Sequence, residues 1–571
     1  MPVADGVSPP GDDGHDGLPP WPLLLGVLGA VAALLIHLIL PAGPVATPAP
    51  WQLTLTTFIG VAAGLTALVI ERQRAALRGA FAMGWATVAA GLVWHNGPVP
   101  GWTDGDGLAL VSFALATVVA APLFQAWAGS GRVRYRAVHD HSWTNALVLA
   151  AGLAFLGVVW LVALLLAEMF DLIGIDLLEK LLREDWVQRV LSGAALGTGL
   201  GVLREQQSIL VLLRRTVVAL LVLLAPALAA GLALFLLALP LTGLTPLWRA
   251  GWSAASLTIT CAVAALVLAN GVIGNGREEE ARRAWLRGSA LVLLLSVLPL
   301  AGLALAAILI RLGQYGLTPG RLWALTGAIA VALVGLGCFG AILSGPRDWM
   351  ARVRRANLTM AALLCAVAFI LATPLVSFNA LSARSQAARL ESRRVNADRF
   401  DWAALGFAFG APGRAELRRL ADSRDPAIRR QAAATLAAPD RWTLDGRIAA
   451  AALRRRVAAG IRVLPAGSKA PADLVDVGAV RAMCADGGCT VVMTGPAEAV
   501  VIAGGCYGAP QQPVMTSCAS PIRLVLRPGG WQTPEPAGHG PAVAYRAGRI
   551  EVRLVSARRI FVGDEAVGEP F

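Results

Sequence analysis

Residues 132–171 read RVRYRAVHDHSWTNALVLAAGLAFLGVVWLVALLLAEMFD. The first part is basic and aromatic, with His139, Asp140 and His141 in succession. From about Trp143 to Met169 the run is almost wholly apolar. A helix needs about 20 apolar residues to cross some 30 Å of hydrocarbon, and this run exceeds that. Inside lipid the backbone has no water to bond, so the run is read as a helix. The stretch is therefore a membrane span with a basic, His-bearing mouth.

The same pattern recurs along the chain. Apolar runs lie at about 21–40, 51–70, 79–95, 107–128, 143–169, 187–203, 216–239, 251–273, 287–310, 322–344 and 356–378. Composition agrees: 15% of the 571 residues are charged and mean hydropathy is +0.63, whereas a soluble domain carries roughly 25% charge. The expected fold is an all-α polytopic membrane bundle of about eleven transmembrane helices, followed by a C-terminal extracytoplasmic α+β extension. The net charge of +13 is Arg in short connecting loops, which argues for orientation signals and lipid headgroups rather than nucleic acid.

The loops alternate in charge. One set carries 17 arginines, from Arg72, Arg74 and Arg78 through Arg132, Arg134 and Arg136 to Arg347, Arg352, Arg354 and Arg355. The other holds Lys180, Arg183, Arg249, Arg311 and Arg321. The basic set is expected to face the cytoplasm. The N-terminus is then cytoplasmic, the C-terminus periplasmic, and the host membrane a bacterial inner membrane. Four regions are expected: a disordered acidic tail, 1–20; the transmembrane domain, 21–379; a helical extracytoplasmic segment, 380–460; and a small β-rich, Cys-containing domain, 461–571. The tail lacks the basic start of a cleavable signal.

Within the connections, Leu172, Ile175, Leu178 and Leu182 suggest an amphipathic interfacial helix over 171–186, or an extension of the helix before it. Gly193, Gly197 and Gly201 recur every four residues, a small-residue face suited to close helix packing. DPAIRRQAAATL, from Asp425, carries a helix-entry signal. After 461 the runs CTVVM, AEAVVIAG, IRLVLRP, RIEVRLV and RRIFVG predict a small antiparallel sheet. Cys484, Cys489, Cys506 and Cys518 all fall in this part; the preferred pairing is 484–489 and 506–518, among three connectivities. Their spacing fits no usual zinc ribbon, so no metal and no cofactor is expected.

Candidate functional residues come from polar groups in or beside spans. Arg134, Tyr135, Asp140, His141, Trp143 and Asn145 cluster at one helix mouth. Arg forks grip anions and His moves protons, while a positive-inside anchor with an interfacial Trp accounts for Arg134 and Trp143 alone. Glu168 and Asp171 close the same helix, either facing a polar partner or simply wet at its end. Tyr315 and Arg321 flank QYGLTPGRLWAL, read as an outer anion site or as a turn capped by Thr318 and Pro319. Asn270 and Asn275 are placed to hydrogen-bond between helices. No HExxH, G-x-S-x-G, Walker loop or dinucleotide fingerprint occurs, so soluble-type hydrolase or ATPase chemistry is unsupported.

Three stretches together resemble the bacterial domain-of-unknown-function 4153 family of polytopic membrane proteins. They are Tyr135 through Asp140, His141, Trp143 and Asn145; QYGLTPGRLWAL, Gln314 to Leu325; and LSARSQAARLESRRVNADRFDWAALGFAFGAPGRAEL, Leu381 to Leu417. The resemblance covers roughly 50–430. It implies a multi-helix inner-membrane protein with an extracytoplasmic C-terminal extension, and no reaction. The functional expectation is a non-enzymatic transporter-like protein or envelope sensor, with membrane lipids and a periplasmic protein or small molecule as partners. The alternative is a membrane transferase for a lipid or glycan precursor, with Asp140, His141, Glu168 or Asp171 as acid/base groups.

Overall fold

The computed structural model describes residues 21–245, 254–503, 522–533, 560–562 and 565–567, apart from 42, 44, 45, 72, 466, 469, 470, 472, 486 and 487. It divides into two compact units, Met1–Ala433 and Ala434–Phe571. The expected acidic tail, Cys506, Cys518 and the strand RIEVRLV lie outside the described residues.

The first unit is a helical bundle. Its long helices are α1 (Trp21–Ile39), α2 (Pro50–Val69), α3 (Ala75–Asn96), α4 (Asp104–Ser130), α5 (Tyr135–Asp171), α7 (Asp185–Glu205), α8 (Gln207–Thr242), α9 (Ala254–Ile273), α10 (Ala284–Tyr315), α11 (Pro319–Leu343) and α12 (Trp349–Ala372). All but α7 are long and apolar enough to cross a membrane. The polarity of the bundle is that of a protein in lipid: α8 turns Leu212, Leu223, Leu237 and Leu241 outward, the last 89% exposed, while charged Arg78 is 1% exposed. An apolar exterior on this scale is incompatible with water around it. The chain is an integral multi-pass membrane protein.

Helix α7 carries Asp185, Arg189, Arg204 and Glu205 at its ends, which lowers its hydropathy, yet it runs antiparallel along the whole of α1. Glu205 Oε1 accepts from the Trp21 backbone N–H at 2.8 Å at one end. Arg189 meets His37 Nδ1 at 3.0 Å at the other. Between them, a Cβ on Gly197 would overlap the Leu25 carbonyl, and Gly193 and Gly29 oppose each other backbone to backbone. The Gly193–Gly197–Gly201 face therefore does what its spacing predicts. Among the described residues ten helices are thus long and apolar enough to cross a membrane, and α7 lies along the whole of α1.

Helix α13 (Phe378–Glu391) begins where Asn379 Nδ2 donates to Thr103 Oγ1 at the start of α4, at 3.0 Å. Helices α14 (Gly410–Ala421) and α15 (Pro426–Leu436) follow a short π-helical turn, Ala404–Ala408. Asp425 caps α15 as its entry signal predicts, accepting from the Ala427 N–H at 2.8 Å.

The 171–186 connection is shorter in helix than expected. Gly174 takes φ +80° and ends α5, so the α6 helix covers only Leu177–Arg183. Leu172 and Ile175 fall in the turn and are exposed; Leu182 alone is buried.

The second unit begins within α15 and contains α16 (Arg441–Gly460), the short α17 (Gly478–Cys484) and a sheet. Asp440 caps α16, accepting from the Thr443 N–H at 2.7 Å, and that bond holds its carboxyl below the usual carboxylate range. The sheet has order β1 (Ile461–Leu464), β2 (Cys489–Gly495), β3 (Glu498–Ala503), β4 (Ile522–Arg527), β5 (Gly530–Gln532). It is mixed rather than purely antiparallel: β1 pairs parallel with β2. The connection between them carries α17, and a parallel pair needs such a crossover. A hairpin, β6 (Ile560–Val562) and β7 (Glu565–Val567), forms a separate ribbon. The expected Cys484–Cys489 disulfide is present, joining α17 to β2 across a Cα–Cα distance of 5.0 Å. Val480, Val491, Val501 and Leu524 pack beneath it as the core of this unit.

Candidate functional site

At the Arg-rich end of the bundle, α2 finishes against three side chains from elsewhere. The last carbonyls of a helix lack intrahelical donors and carry the negative end of its dipole. Arg78 Nη1 donates to the Val69 carbonyl at 2.8 Å. Gln125 Nε2 donates to the Leu68 carbonyl at 3.1 Å. Arg204 donates to the carbonyls of Leu68 and Ile70. Arg78 Nη2 also meets Glu71 Oε2 at 2.6 Å.

A second cluster centres on Asp140. Its Oδ1 accepts from Arg214 Nη1 at 2.7 Å and from Asn275 Nδ2 at 2.9 Å. Arg214 Nη2 reaches Glu279 Oε1 at 3.0 Å. Asn275 is 5% exposed, and its Oδ1 has no partner. A third cluster joins Tyr135, whose hydroxyl lies 3.4 Å from Asn270 Oδ1 and 3.3 Å from His139 Nδ1. Asn357 Nδ2 donates to the same Asn270 oxygen at 2.6 Å. Arg354 donates to the Ile273 carbonyl and pairs with Glu280 Oε1 at 2.7 Å. Buried polar groups in such numbers demand this degree of pairing, because each unpaired one costs about 1–3 kcal/mol.

Between the first two clusters lies a pocket of ≈ 440 Å³. Glu71, Gln125, Asp140, His141, Thr144, Asn145 and Arg204 form its polar wall; Trp21, Leu68, Ile70, Val148, Leu210 and Val211 form its apolar wall. Asn145 Nδ2 donates to Gln125 Oε1 at 2.7 Å, fixing one side. Among the described residues no three His, Cys, Asp or Glu side chains converge on a metal position.

The sequence candidates therefore separate. Asp140, His141 and Asn145 line the pocket. Tyr135 belongs to the neighbouring network, and Trp143 stands edge-on to His139 with ring centroids 6.4 Å apart. Arg134 is the exposed residue preceding α5. Glu168 and Asp171 are exposed at the far end of the same 37-residue helix, about 45 Å away at 1.5 Å per residue. Tyr315 and Arg321 are also remote: Arg321 lies over the Tyr315 ring at 5.3 Å and donates to the Gly316 carbonyl at 2.9 Å. Thr318 Oγ1 accepts from the Arg321 N–H, as a helix cap does. Glu71, Gln125 and Arg204 were not singled out from sequence. Gln125 and Asn357 carried a signal, being polar residues inside apolar runs.

A family model described as a domain of unknown function (DUF4153) matches residues 19–408. The chain belongs to this family. No curated protein and no solved structure matches it. The DUF4153 match includes α1 to α13 and every residue of the pocket, and ends at the π-helical turn. The sheet-bearing unit lies beyond the DUF4153 region.

Proposed function

We propose that this chain is a non-enzymatic, transporter-like protein of a bacterial inner membrane that holds a small ligand in the Asp140–His141–Asn145 pocket. The observation that carries the reading is the pocket itself: ionisable and apolar walls meet inside a bundle whose exterior is apolar. Ionisable groups at membrane depth are costly and mark ligand or ion paths. The charge asymmetry of the loops supports a cytoplasmic Arg-rich end and a periplasmic C-terminal part, and the Cys484–Cys489 disulfide suits an oxidising compartment. Asp140 and Asp171 stand at opposite ends of α5, so the transferase that draws its acid/base pair from both loses its geometry.

The function is tested by metabolite and lipid profiling of a deletion strain complemented with the wild-type gene, His141→Ala or Asp140→Asn. The deletion profile should be corrected by the wild type and not by the variants, at equal membrane levels. Full correction by both variants rejects the pocket. Orientation is tested separately with a periplasm-only reporter enzyme fused after Phe571 or after Arg214; activity at Arg214 alone rejects the topology.

A further inference from the structure

The sequence places arginines at this end of the bundle and so suggests an anion. The geometry points to the reverse. We propose that the pocket takes an organic cation, an alkylammonium-type head with a short apolar tail, held by Glu71 and Asp140. This rests on the reading of the pocket as a ligand site.

The terminal nitrogens of the arginines are already engaged by the protein. Arg204, the one arginine in the wall, gives both terminal nitrogens to the Leu68 and Ile70 carbonyls. Arg78 and Arg214 each give one terminal nitrogen to a carboxylate, and their others to the Val69 carbonyl and to Glu279. No guanidinium fork is left facing the pocket for a phosphate or carboxylate, and a bidentate fork is what makes Arg an anion receptor.

The acceptors are not all satisfied. Glu71 receives its bond on Oε2 and Asp140 both of its bonds on Oδ1. Glu71 Oε1 and Asp140 Oδ2 receive none from the described residues. His141 and Thr144 likewise line the pocket, and their side chains have no hydrogen bond among the described residues. Apart from the Trp21 indole and the Arg204 Nε–H, the wall groups left without a bond among the described residues can all accept. Behind Asp140, the buried Asn275 Oδ1 is a further acceptor without a donor. Leu210, Val211 and Val148 then offer an apolar surface for a tail.

The test uses the full chain in detergent with Cys261, Cys338 and Cys365 replaced by Ser and Thr144→Cys added. Alkylation at position 144 by N-ethylmaleimide is followed by mass spectrometry of the labelled peptide. Butylammonium should slow labelling saturably, while butyrate and butanol at the same concentration should not. Asp140→Asn or Glu71→Gln should raise the half-protecting butylammonium concentration about tenfold, the effect of losing one charge-assisted bond. Protection by butyrate and not by butylammonium overturns the cation assignment while leaving a ligand pocket. Labelling that none of the three probes slows, or no labelling at all, overturns the pocket reading as well. The three-probe comparison keeps both carboxylates intact, so it decides the matter even if the carboxylate variants fail to fold.

Discussion

The two ends of the bundle use the same residue types for different purposes. At the end opposite the pocket, polar side chains tie a turn. Gln386 Nε2 donates to the Tyr315 and Leu317 carbonyls at 3.0 and 2.8 Å, Arg389 Nη2 to the Gln314 carbonyl at 2.8 Å, and Arg321 to that of Gly316. Gly316 sits at φ +76° in this turn, where a Cβ would press on Arg389. In this turn the hydrogen-bond acceptors of these three side chains are all backbone carbonyls. At the Arg-rich end, Arg78, Arg204 and Arg354 also bind carbonyls, but carboxylates are interleaved with them. Two carboxylates at this end, Glu71 and Asp140, line a cavity and each keep one oxygen without a bond from the described residues. The contrast teaches that an arginine near a membrane surface is not evidence of an anion site until its forks have been accounted for.

The contrast should appear first in stability. Arg78→Ala empties a buried site and leaves the Val69 carbonyl without its donor, while Glu71, 47% exposed, stays solvated, so it should cost about 2–4 kcal/mol and lower the yield of monodisperse protein on size-exclusion chromatography in detergent. Arg78→Met should recover part of the folded yield, because it refills the buried site without a charge. A single variant that elutes like the wild type would erase the distinction between the two ends.

The seam joining those ends comes next. Gly197→Val sets a side chain on the Leu25 carbonyl and should cost about 3 kcal/mol, read as a lowered melting temperature in detergent. Gly231→Val, where a Cβ meets open space, is the control and should melt near the wild type. Equal melting of the two would mean α1 and α7 do not pack as closely as their glycines permit.

Smaller effects belong to the turn. Gln386→Ala removes two neutral bonds to carbonyls that are partly wet, and about 1 kcal/mol should be lost. Arg321→Ala removes an exposed cation–π contact and one carbonyl bond, with a loss of about 0.5–1 kcal/mol. Losses at the turn as large as that of Arg78→Ala would show the two ends to be equally charged with structural work.

Much of the fold was written in periodicity and composition. Each of the eleven apolar runs folds as a helix, ten of them long and apolar enough to cross a membrane, because lipid leaves the backbone no alternative to helix. The Gly193–Gly197–Gly201 spacing gave the α1–α7 seam, and the four-residue turn between Cys484 and Cys489 gave a disulfide. The short α6 and the parallel β1–β2 pair were not legible in the same way. The first depends on Gly174 taking a left-handed backbone, the second on where a crossover returns the chain. At the site, Asp140, His141 and Asn145 stood out as polar residues at the mouth of a long apolar run. Their partners did not, since Glu71, Arg204 and Arg214 read as ordinary loop charges. Sequence thus determined which segments enter the membrane and where charge collects, because those follow from each segment's own cost of solvation. Only the tertiary structure decided which charges cancel and which oxygens stay free, because a hydrogen-bond partner 135 residues away, as Asn275 is from Asp140, is fixed by packing alone.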